Sequence, residues 1–268
     1  MRSADLKDPL RTFSNIVITG ASSGIGAALA KYYARPGIAL GLVGRDPARL
    51  NAVADQVRAA GAMVEGGLFD LRDRAAVLNF LSGFDRTNPI DLLIANAGVL
   101  DGRRADGSIE NADIARRVIE INLLGAVDTL HAVLPAMRTR RWGHIVLVSS
   151  LAALSPLADA PGYSASKAGL LAYGQAMRAA VALDNVRVTV VCPGYVTSAM
   201  TDTHIGEQPL KISAEKAAQL IGKGIIRNRA VIGFPLPLYL PALISRLFPE
   251  FVTRLATKGI RFHVTPRD

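Results

Sequence analysis

Short runs of apolar residues alternate with helical patterns along most of the chain, from Ile16 to Ile232. Several runs are apolar at almost every position, which is typical of strands buried on both faces of a sheet. The predicted strands are residues 15–19, 38–44, 62–70, 91–98, 143–150, 186–194 and 230–234. The clearest helical windows between them are residues 24–34, 46–60, 109–140 and 163–183. The pattern therefore predicts repeated strand–helix–strand units.

These units predict one doubly wound α/β domain. Strand–helix–strand units joined by right-handed crossovers form a parallel sheet with helices on both faces. No linker or low-complexity segment interrupts the alternation, so we expect a Rossmann-type domain with a mostly parallel seven-stranded sheet over residues 14–234. Residues 1–13 are predicted to form an N-terminal extension, and residues 235–268 an amphipathic C-terminal extension packed on the domain.

Composition narrows the classes of protein that this pattern allows. The chain has 268 residues, half of them apolar and 20% charged, which permits a sizeable core and excludes wholesale disorder. A single cysteine, Cys192, excludes an intramolecular disulfide framework, and the four histidines lack zinc-site spacing, so no metal is expected. The net charge of +9 is compatible with nucleic acid, anionic lipid or a phosphorylated cofactor.

The sequences near the two ends of the chain indicate where in the cell the protein is expected. The first 13 residues carry charges throughout and lack the apolar segment of a secretory signal. The uncharged residues 230–245 are fewer than a membrane-spanning helix needs and include three prolines. We therefore expect a soluble cytoplasmic protein.

A glycine-rich turn, Thr19-Gly-Ala-Ser-Ser-Gly-Ile-Gly26, joins the first predicted strand to the first predicted helix. Glycine at such a turn lets backbone N–H groups approach a pyrophosphate at the helix N-terminus. The position between strand and helix favours nucleotide binding over a purely structural turn. The candidate cofactor-binding residues of this turn are Gly20, Ser22, Ser23, Gly24, Ile25 and Gly26.

The end of the second predicted strand, Gly44-Arg45-Asp46, bears on the choice of nucleotide. An NAD site usually has an acidic side chain here for the ribose hydroxyls, whereas NADP needs space and a cation. Gly44 leaves the space, and Arg45 supplies a guanidinium suited to phosphate. Asp46, followed by Pro47, is predicted to cap the next helix. We favour NADP(H), with NAD(H) as the alternative if Arg45 is an ordinary solvated side chain.

Tyr163 and Lys167 lie four residues apart in a predicted helix and therefore share one face. Of the six tyrosines, only Tyr163 has a lysine at this spacing. Ser150 ends a predicted strand thirteen residues earlier, at the carboxyl edge where open α/β sheets bind ligands. These three side chains are candidate catalytic residues.

Taken together, these residues resemble the short-chain dehydrogenase/reductase family in its single-domain form. The resemblance covers residues 14–198 and rests on the glycine turn, Asp70, Ala95-Asn-Ala-Gly98, Asn122, Ser150, Tyr163-x-x-x-Lys167 and Pro193-Gly194. It implies an oxidoreductase that transfers a hydride between NADP(H) and a carbonyl or secondary alcohol.

The resemblance implies a role for each catalytic residue. Tyr163 would be the general acid/base. Lys167 would bind the nicotinamide ribose and, with the positive charge of the oxidised nicotinamide, lower the pKa of Tyr163. Ser150 would polarise the substrate carbonyl, whereas Ser149 is expected to be structural. Asn122 would anchor a water-mediated proton relay, with a buried structural amide as the alternative.

The resemblance also implies further contacts to the cofactor. The residues expected to border the adenosine are Asp70, Leu71, Asn96, Ala97 and Gly98. Those expected near the nicotinamide are Pro193, Gly194, Val196 and Ser198, in addition to Tyr163 and Lys167. The sequence departs from the family pattern at Ala95, where asparagine is usual, and at Ser198, where threonine is usual. Neither departure removes a group that the chemistry needs.

Specificity for the substrate is expected in residues 195–213, which follow the sixth strand and should cover the pocket. Residues 151–154 and Leu157 are expected to add an apolar wall, which favours a lipophilic carbonyl compound. The tail repeats apolar residues beside a mostly basic face, at Leu243, Leu247, Phe251 and Leu255. We expect this tail to pack over the pocket or on a partner subunit, and membrane-surface contact is the alternative.

Other functions are compatible with parts of the sequence. In an NAD-linked hydroxysteroid or polyol-type dehydrogenase, Arg45 would not select the coenzyme. A non-catalytic nucleotide-binding scaffold would have no chemical need for the intact catalytic set. Nucleic-acid binding lacks a recognised motif, so no such partner is expected. The resemblance implies a homodimer or homotetramer, formed through the helices that begin near Ile109 and Tyr163.

Overall fold

Apolar runs form the strands of the sheet at each of the seven predicted places. The computed structural model describes residues 13–245 and 262–265. Its strands are β1 (Asn15–Thr19), β2 (Ala39–Gly44), β3 (Met63–Leu68), β4 (Leu92–Ala95), β5 (Gly143–Val148), β6 (Val186–Pro193), β7 (His204–Gly206), β8 (Val231–Phe234) and β9 (Phe262–Val264). Seven of them form a parallel sheet in the order β3-β2-β1-β4-β5-β6-β8. The predicted doubly wound sheet is confirmed.

The connections between the strands are helical. The helices are α1 (Gly24–Tyr33), α2 (Pro47–Ala59), α3 (Arg74–Thr87), α4 (Ala112–Ile119), α5 (Gly125–Arg140), α6 (Pro161–Ala180), α7 (Ala199–Asp202), α8 (Ala214–Ile226) and α9 (Leu236–Ser245). Short polar side chains begin several of them, as expected for residues that accept a hydrogen bond from the first helical turn. Asp46 caps α2 by accepting the N–H of Arg49 at 2.9 Å, as predicted.

The hydrophobic core has one layer on each face of the sheet. In β1, Ile16 and Ile18 pack with α1, α2 and α8 on one face, whereas Val17 packs with α3, α5 and α6 on the other. All three side chains are fully buried. A strand covered on both faces shows no alternation of apolar and polar residues, which is why Ile16, Val17 and Ile18 are all apolar.

The long helix predicted over residues 109–140 begins at Ala112 and changes its winding in the middle. The π-helical turn Glu120–Leu124 joins α4 to α5, so residues 112–140 form one continuous helix. Among the described helices, only this one is long and apolar enough to cross a membrane, and half of its most apolar window is buried inside the domain. Burial of this kind is the pattern of a core helix.

A second, two-stranded sheet lies outside the main one. β7 pairs with β9 in antiparallel register, His204 opposite Val264. Its strands have three residues each and come from distant parts of the sequence, so no periodic pattern predicts them. Residues 1–12 of the predicted N-terminal extension and the tail positions Leu247, Phe251 and Leu255 lie outside the described residues, whereas Phe13 is buried in the core.

Candidate active site

The candidate site is a cavity at the carboxyl edge of the parallel sheet, with a volume of about 1040 Å³. It lies where the strand order reverses, between β1 and β4, which is where open α/β sheets bind ligands. Of the predicted site residues, all except Gly26 and Asn122 line this cavity. The fold therefore brings the glycine turn, the ends of β4 and β5, and the segment after β6 to one place.

The glycine turn forms a cradle that side chains would fill. Gly20 and Gly24 have φ angles of +66° and +53°, which side-chain-bearing residues rarely adopt. A Cβ atom on Gly24 would lie 2.6 Å from the Cβ of Ser198. Ser23, at the N-cap position of α1, makes no side-chain hydrogen bond to the helix. Together these features fit a dinucleotide pyrophosphate, because backbone N–H groups at a helix N-terminus bind phosphate oxygens.

Asn96 braces this cradle from the neighbouring strand. Its Nδ2 donates hydrogen bonds to the carbonyl oxygens of Thr19 (3.0 Å) and Gly20 (3.2 Å). The hydroxyl of Thr19 accepts the backbone N–H groups of Asn96 and Ala97, each at 3.1 Å. Asn96 was predicted as a cofactor contact, and its side chain is engaged in holding the shape of the turn.

The end of the cavity predicted to hold the adenosine carries a group of arginines. Arg45 lies 3.4 Å from the carboxylate of Asp70, and its side chain is 58% exposed. Arg72 also holds Asp70, with two hydrogen bonds of 3.0 and 3.1 Å, and these lower the pKa of that carboxyl. An exposed ion pair as long as that of Arg45 contributes little to stability. Arg45 is therefore free to turn toward an anion in the cavity.

Arg49 is a site residue that the sequence reasoning missed. It lines the same cavity, one helical turn after Asp46, and its Nε donates to the Asp46 carboxylate at 2.5 Å. The signal was present in the sequence, because a residue three positions after a predicted N-cap lies in the first helical turn. Arg45 and Arg49 together place two guanidinium groups at the predicted ribose end.

The catalytic candidates meet at the opposite end of the cavity. Ser150 and Tyr163 both line this end of the cavity, and the Ser150 side chain lowers the pKa of the Tyr163 hydroxyl. The ammonium of Lys167 lies 5.8 Å from the centre of the Tyr163 ring and donates to the carbonyl of Val148 at 2.8 Å. Ser149 is buried, and its hydroxyl donates to the carbonyl of Lys167 at 2.7 Å. The hydroxyl of Ser149 is therefore engaged in a structural contact, and Ser150 is the better candidate for a role beside Tyr163.

Burial sets the proton affinities of this group. It raises the pKa of Tyr163, while the hydrogen bond with Ser150 lowers it and Tyr195 raises it further. It lowers the pKa of Lys167 to about 8. The family resemblance implies that Lys167 and the positive charge of an oxidised nicotinamide together lower the pKa of Tyr163. Without that charge, the groups of the protein raise this pKa. A protonated phenol is the form that donates a proton.

Asn122 lies behind the catalytic residues, in the π-helical turn. It is completely buried; its Oδ1 accepts the N–H of Val99 at 2.7 Å, and its Nδ2 donates to the Val99 carbonyl and to the Ser166 hydroxyl. A Cβ on Gly98 would lie 3.1 Å from this Oδ1 and 3.3 Å from the Lys167 ammonium. The side chain thus ties the end of β4 to α6, and its role in a proton relay stays a prediction.

The segments predicted to form the substrate pocket supply several apolar side chains to the cavity. Leu151 and Leu157 line it as expected, whereas Ala153 and Leu154 are buried instead in a small core cluster with Cys192. Residues 195–213 contribute α7, which is begun by a capping box between Ser198 and Thr201, and β7. Five residues of α9 also line the cavity: Pro237, Leu238, Pro241, Ala242 and Ser245.

The side chains that could bind a metal ion are those of histidine, cysteine, aspartate and glutamate. Among residues 13–245 and 262–265, no cluster of three or more histidine, cysteine, aspartate or glutamate side chains could hold a metal ion. Of the four histidines, only His204 lines the cavity, and its ring stacks on Phe262 with 4.2 Å between centroids.

Lys167 is expected to destabilise the fold near neutral pH. Its side chain is buried, and its pKa falls from the ordinary 10.5 to about 8. The unfolded chain therefore binds this proton more tightly, so the free energy of unfolding rises with pH between about 8 and 10. The full cost of burying the charge applies below pH 8.

Replacing Lys167 with methionine is thus expected to increase the free energy of unfolding by about 2 kcal/mol at pH 7, after loss of the hydrogen bond to Val148. The gain should shrink as the pH approaches 10. Urea denaturation at pH 7, 8 and 9 measures it, with Lys31→Met, at an exposed position of α1, as the matched control. A variant less stable than wild type at pH 7 would contradict this expectation.

Comparisons with known proteins agree with this geometry. A family model described as short chain dehydrogenase matches residues 14–208. A Myxococcus xanthus protein described as an uncharacterized oxidoreductase is 36% identical over 256 residues, covering 93% of this chain and 98% of the relative. The ketoacyl reductase HetN of Nostoc is 33% identical over 224 residues, covering 81% of this chain and 77% of the relative.

A solved structure gives the same result. The short-chain dehydrogenase from Sphingobium yanoikuyae in complex with NADPH has a TM-score of 0.76 at 27% identity, covering 95% of this chain and 99% of that one. The family match extends over most of the chain and includes the glycine turn, Ser150, Tyr163 and Lys167. This chain therefore belongs to the short-chain dehydrogenase/reductase family of NAD(P)-dependent oxidoreductases.

Proposed function

We propose that the chain is an NADP(H)-dependent reductase of apolar ketones or aldehydes. The observation that carries the proposal is the placement of Ser150 and Tyr163 beside the buried Lys167, in one cavity with the glycine cradle and Arg45. The similarity to a ketoacyl reductase supports a carbonyl substrate. The NADPH in the Sphingobium structure supports the choice of coenzyme.

The chemistry divides between the cofactor and three side chains. The glycine turn and Arg45 would hold NADPH, which when bound would provide the hydride for the carbonyl carbon. Ser150 donates a hydrogen bond to the carbonyl oxygen, and Tyr163 donates its proton to the same oxygen as negative charge develops there. The nearby cation of Lys167 stabilises the phenolate that remains. Because burial raises the pKa of Tyr163, the protein favours the protonated form, which suits reduction.

The walls of the cavity support an apolar substrate. Leu151, Leu157, Met200 and Leu238 line the same cavity as the catalytic residues. A ligand pocket usually combines such walls with a few polar groups that fix orientation. The polar groups of the cavity include the hydroxyls of Ser150 and Tyr163 and the ion pair of Asp101 with Arg117. A carbonyl with apolar substituents would use the two hydroxyls for orientation and the apolar walls for binding.

Coenzyme choice is expected to depend on Arg45. Replacing it with aspartate removes a charged hydrogen-bond donor from the 2′-phosphate and adds a repulsive charge, so NADPH affinity should fall by about 10- to 100-fold. NADH affinity should change much less. Fluorescence titration measures both, with Arg58→Asp as the control, because Arg58 lies on α2 and does not line the cavity. Unchanged NADPH affinity in the Arg45 variant would disprove the phosphate contact.

A screen of carbonyl compounds tests the reaction class. Purified protein is mixed with NADPH and a panel of alkanones, aromatic ketones, aldehydes and β-ketoacyl thioesters, and the loss of NADPH absorbance is recorded. We expect turnover of the more apolar members and none with polyols and NADP⁺ at neutral pH. Oxidation of polyols with no ketone reduction would refute the proposed substrate class.

A further inference from the structure

Helix α9 separates two environments. Pro237, Leu238, Pro241, Ala242 and Ser245 all line the cavity. The large apolar residues of the opposite face are Leu236, Leu240, Leu243 and Ile244. Their spacing of four, seven and eight residues from Leu236 places them on one side of a helix. α9 is therefore a wall of the cavity on one side and an apolar surface on the other.

This outer face, Leu236, Leu240, Leu243 and Ile244, is open to solvent. The four side chains are 43–60% exposed. The described residues include twelve exposed large apolar side chains, and four of these twelve lie on the ten-residue helix α9. Scattered exposed leucines need no explanation, whereas a contiguous apolar patch marks an interaction site.

The sequence that follows α9 indicates which partner suits this face. Residues 246–261 contain Arg246, Arg254, Lys258 and Arg261 but a single acidic residue, Glu250. The same sixteen residues include leucine, isoleucine, valine and two phenylalanines. Apolar residues interspersed with an excess of positive charge are the composition of segments that bind anionic lipid surfaces. A protein interface would not need this excess of charge.

We propose that the outer face of α9 docks on an anionic membrane surface. Docking there places the wall formed by Leu238 and Pro241, and with it the substrate end of the cavity, next to the lipid. In so far as the chain reduces apolar carbonyls, which is the function proposed above, its substrates reach the cavity from the bilayer. Membrane binding itself does not depend on that reaction and is tested without it.

Vesicle sedimentation with the full-length protein tests the docking. The probes are vesicles of phosphatidylcholine alone and of phosphatidylcholine with phosphatidylglycerol. We expect wild type to bind the anionic vesicles and to bind neutral ones less. The double variant Leu240→Ser with Ile244→Ser removes apolar area from the face, so its partition coefficient should be lower by about tenfold or more. Leu78→Ser with Leu183→Ser, at exposed sites in other elements, is the matched control and should bind like wild type.

Each other outcome counts against the proposal. It is overturned if wild type binds neither vesicle, or if the α9 variant binds as well as the control. A third result would also overturn it: wild type does not bind vesicles, and light scattering shows a dimer that the α9 variant cannot form. In that case the outer face of α9 binds a second copy of the chain. Melting temperature and NADPH affinity verify folding, and Leu236→Ser with Leu243→Ser replaces the first variant if it misfolds. Because neither pair lines the cavity, turnover of a water-soluble ketone should be unchanged.

Discussion

Replacing Tyr163 with phenylalanine should lower kcat by about 10²- to 10⁴-fold, the usual contribution of a positioned acid or base. The substitution removes the phenolic hydroxyl, whose pKa Ser150 lowers and whose ring lies 5.8 Å from the Lys167 ammonium. The ring remains to fill the buried volume, so NADPH affinity and melting temperature should change little. Steady-state rates with the best ketone from the screen, together with NADPH titration, measure both parts of this expectation.

The matched control is Tyr173→Phe, on the same helix. The Tyr173 hydroxyl lies 2.7 Å from the His131 ring nitrogen, away from the cavity. Its removal should leave kcat within a factor of about two, since surface substitutions of this kind have small effects. If Tyr163→Phe kept more than a tenth of the wild-type rate, Tyr163 would not be the proton donor.

Replacing Gly26 with alanine should abolish cofactor binding. A Cβ at this position would lie 2.2 Å from the carbonyl oxygen of Gly20 and 2.7 Å from the Nδ2 of Asn96. Those two atoms are joined by the hydrogen bond that shapes the glycine turn, so the turn has to move. We expect NADPH affinity to fall by more than about 100-fold and the free energy of unfolding by about 1–3 kcal/mol.

The direction of the change in the free energy of unfolding distinguishes a clash in the glycine turn from the intrinsic helix preference of alanine. Gly26 lies inside α1, where alanine is intrinsically favoured over glycine by about 0.5–1 kcal/mol. Gly66→Ala is the control, because a Cβ there meets no atom within 4 Å. Calorimetry and NADPH titration of both variants measure the difference. A Gly26 variant that binds NADPH like wild type would show that the turn is not the cofactor cradle.

Much of the fold was predictable because its determinants are local. The middle of β1, Ile16 to Ile18, is apolar since both faces of the strand are covered. Asp46-Pro47 begins α2 because both residues favour the start of a helix. The pairing of β7 with β9 was not predictable. It joins His204 to Val264 through a few backbone hydrogen bonds, and segments of three residues show no period.

The residues of the candidate site could be named from the sequence, but the contacts of their side chains could not. Asn122 and Asn96 could be placed near the site by resemblance, but only the structure shows that Asn122 bonds Val99 and that Asn96 bonds the glycine turn. The direction of the Tyr163 pKa depends on burial, which the spacing of Tyr163 and Lys167 does not reveal. The two faces of α9 were likewise hidden, because its sequence is apolar on both sides.

Transfer of an isotopic label tests the central claim most directly. The protein is incubated with a reactive ketone and NADPH that carries deuterium at either of the two C4 positions, and the alcohol is analysed by mass spectrometry. We predict that one labelled form delivers one deuterium to the carbinol carbon and that Tyr163→Phe delivers almost none in the same time. Tight binding of NADPH without any labelled alcohol from the whole panel would contradict the account and indicate a non-catalytic nucleotide-binding protein.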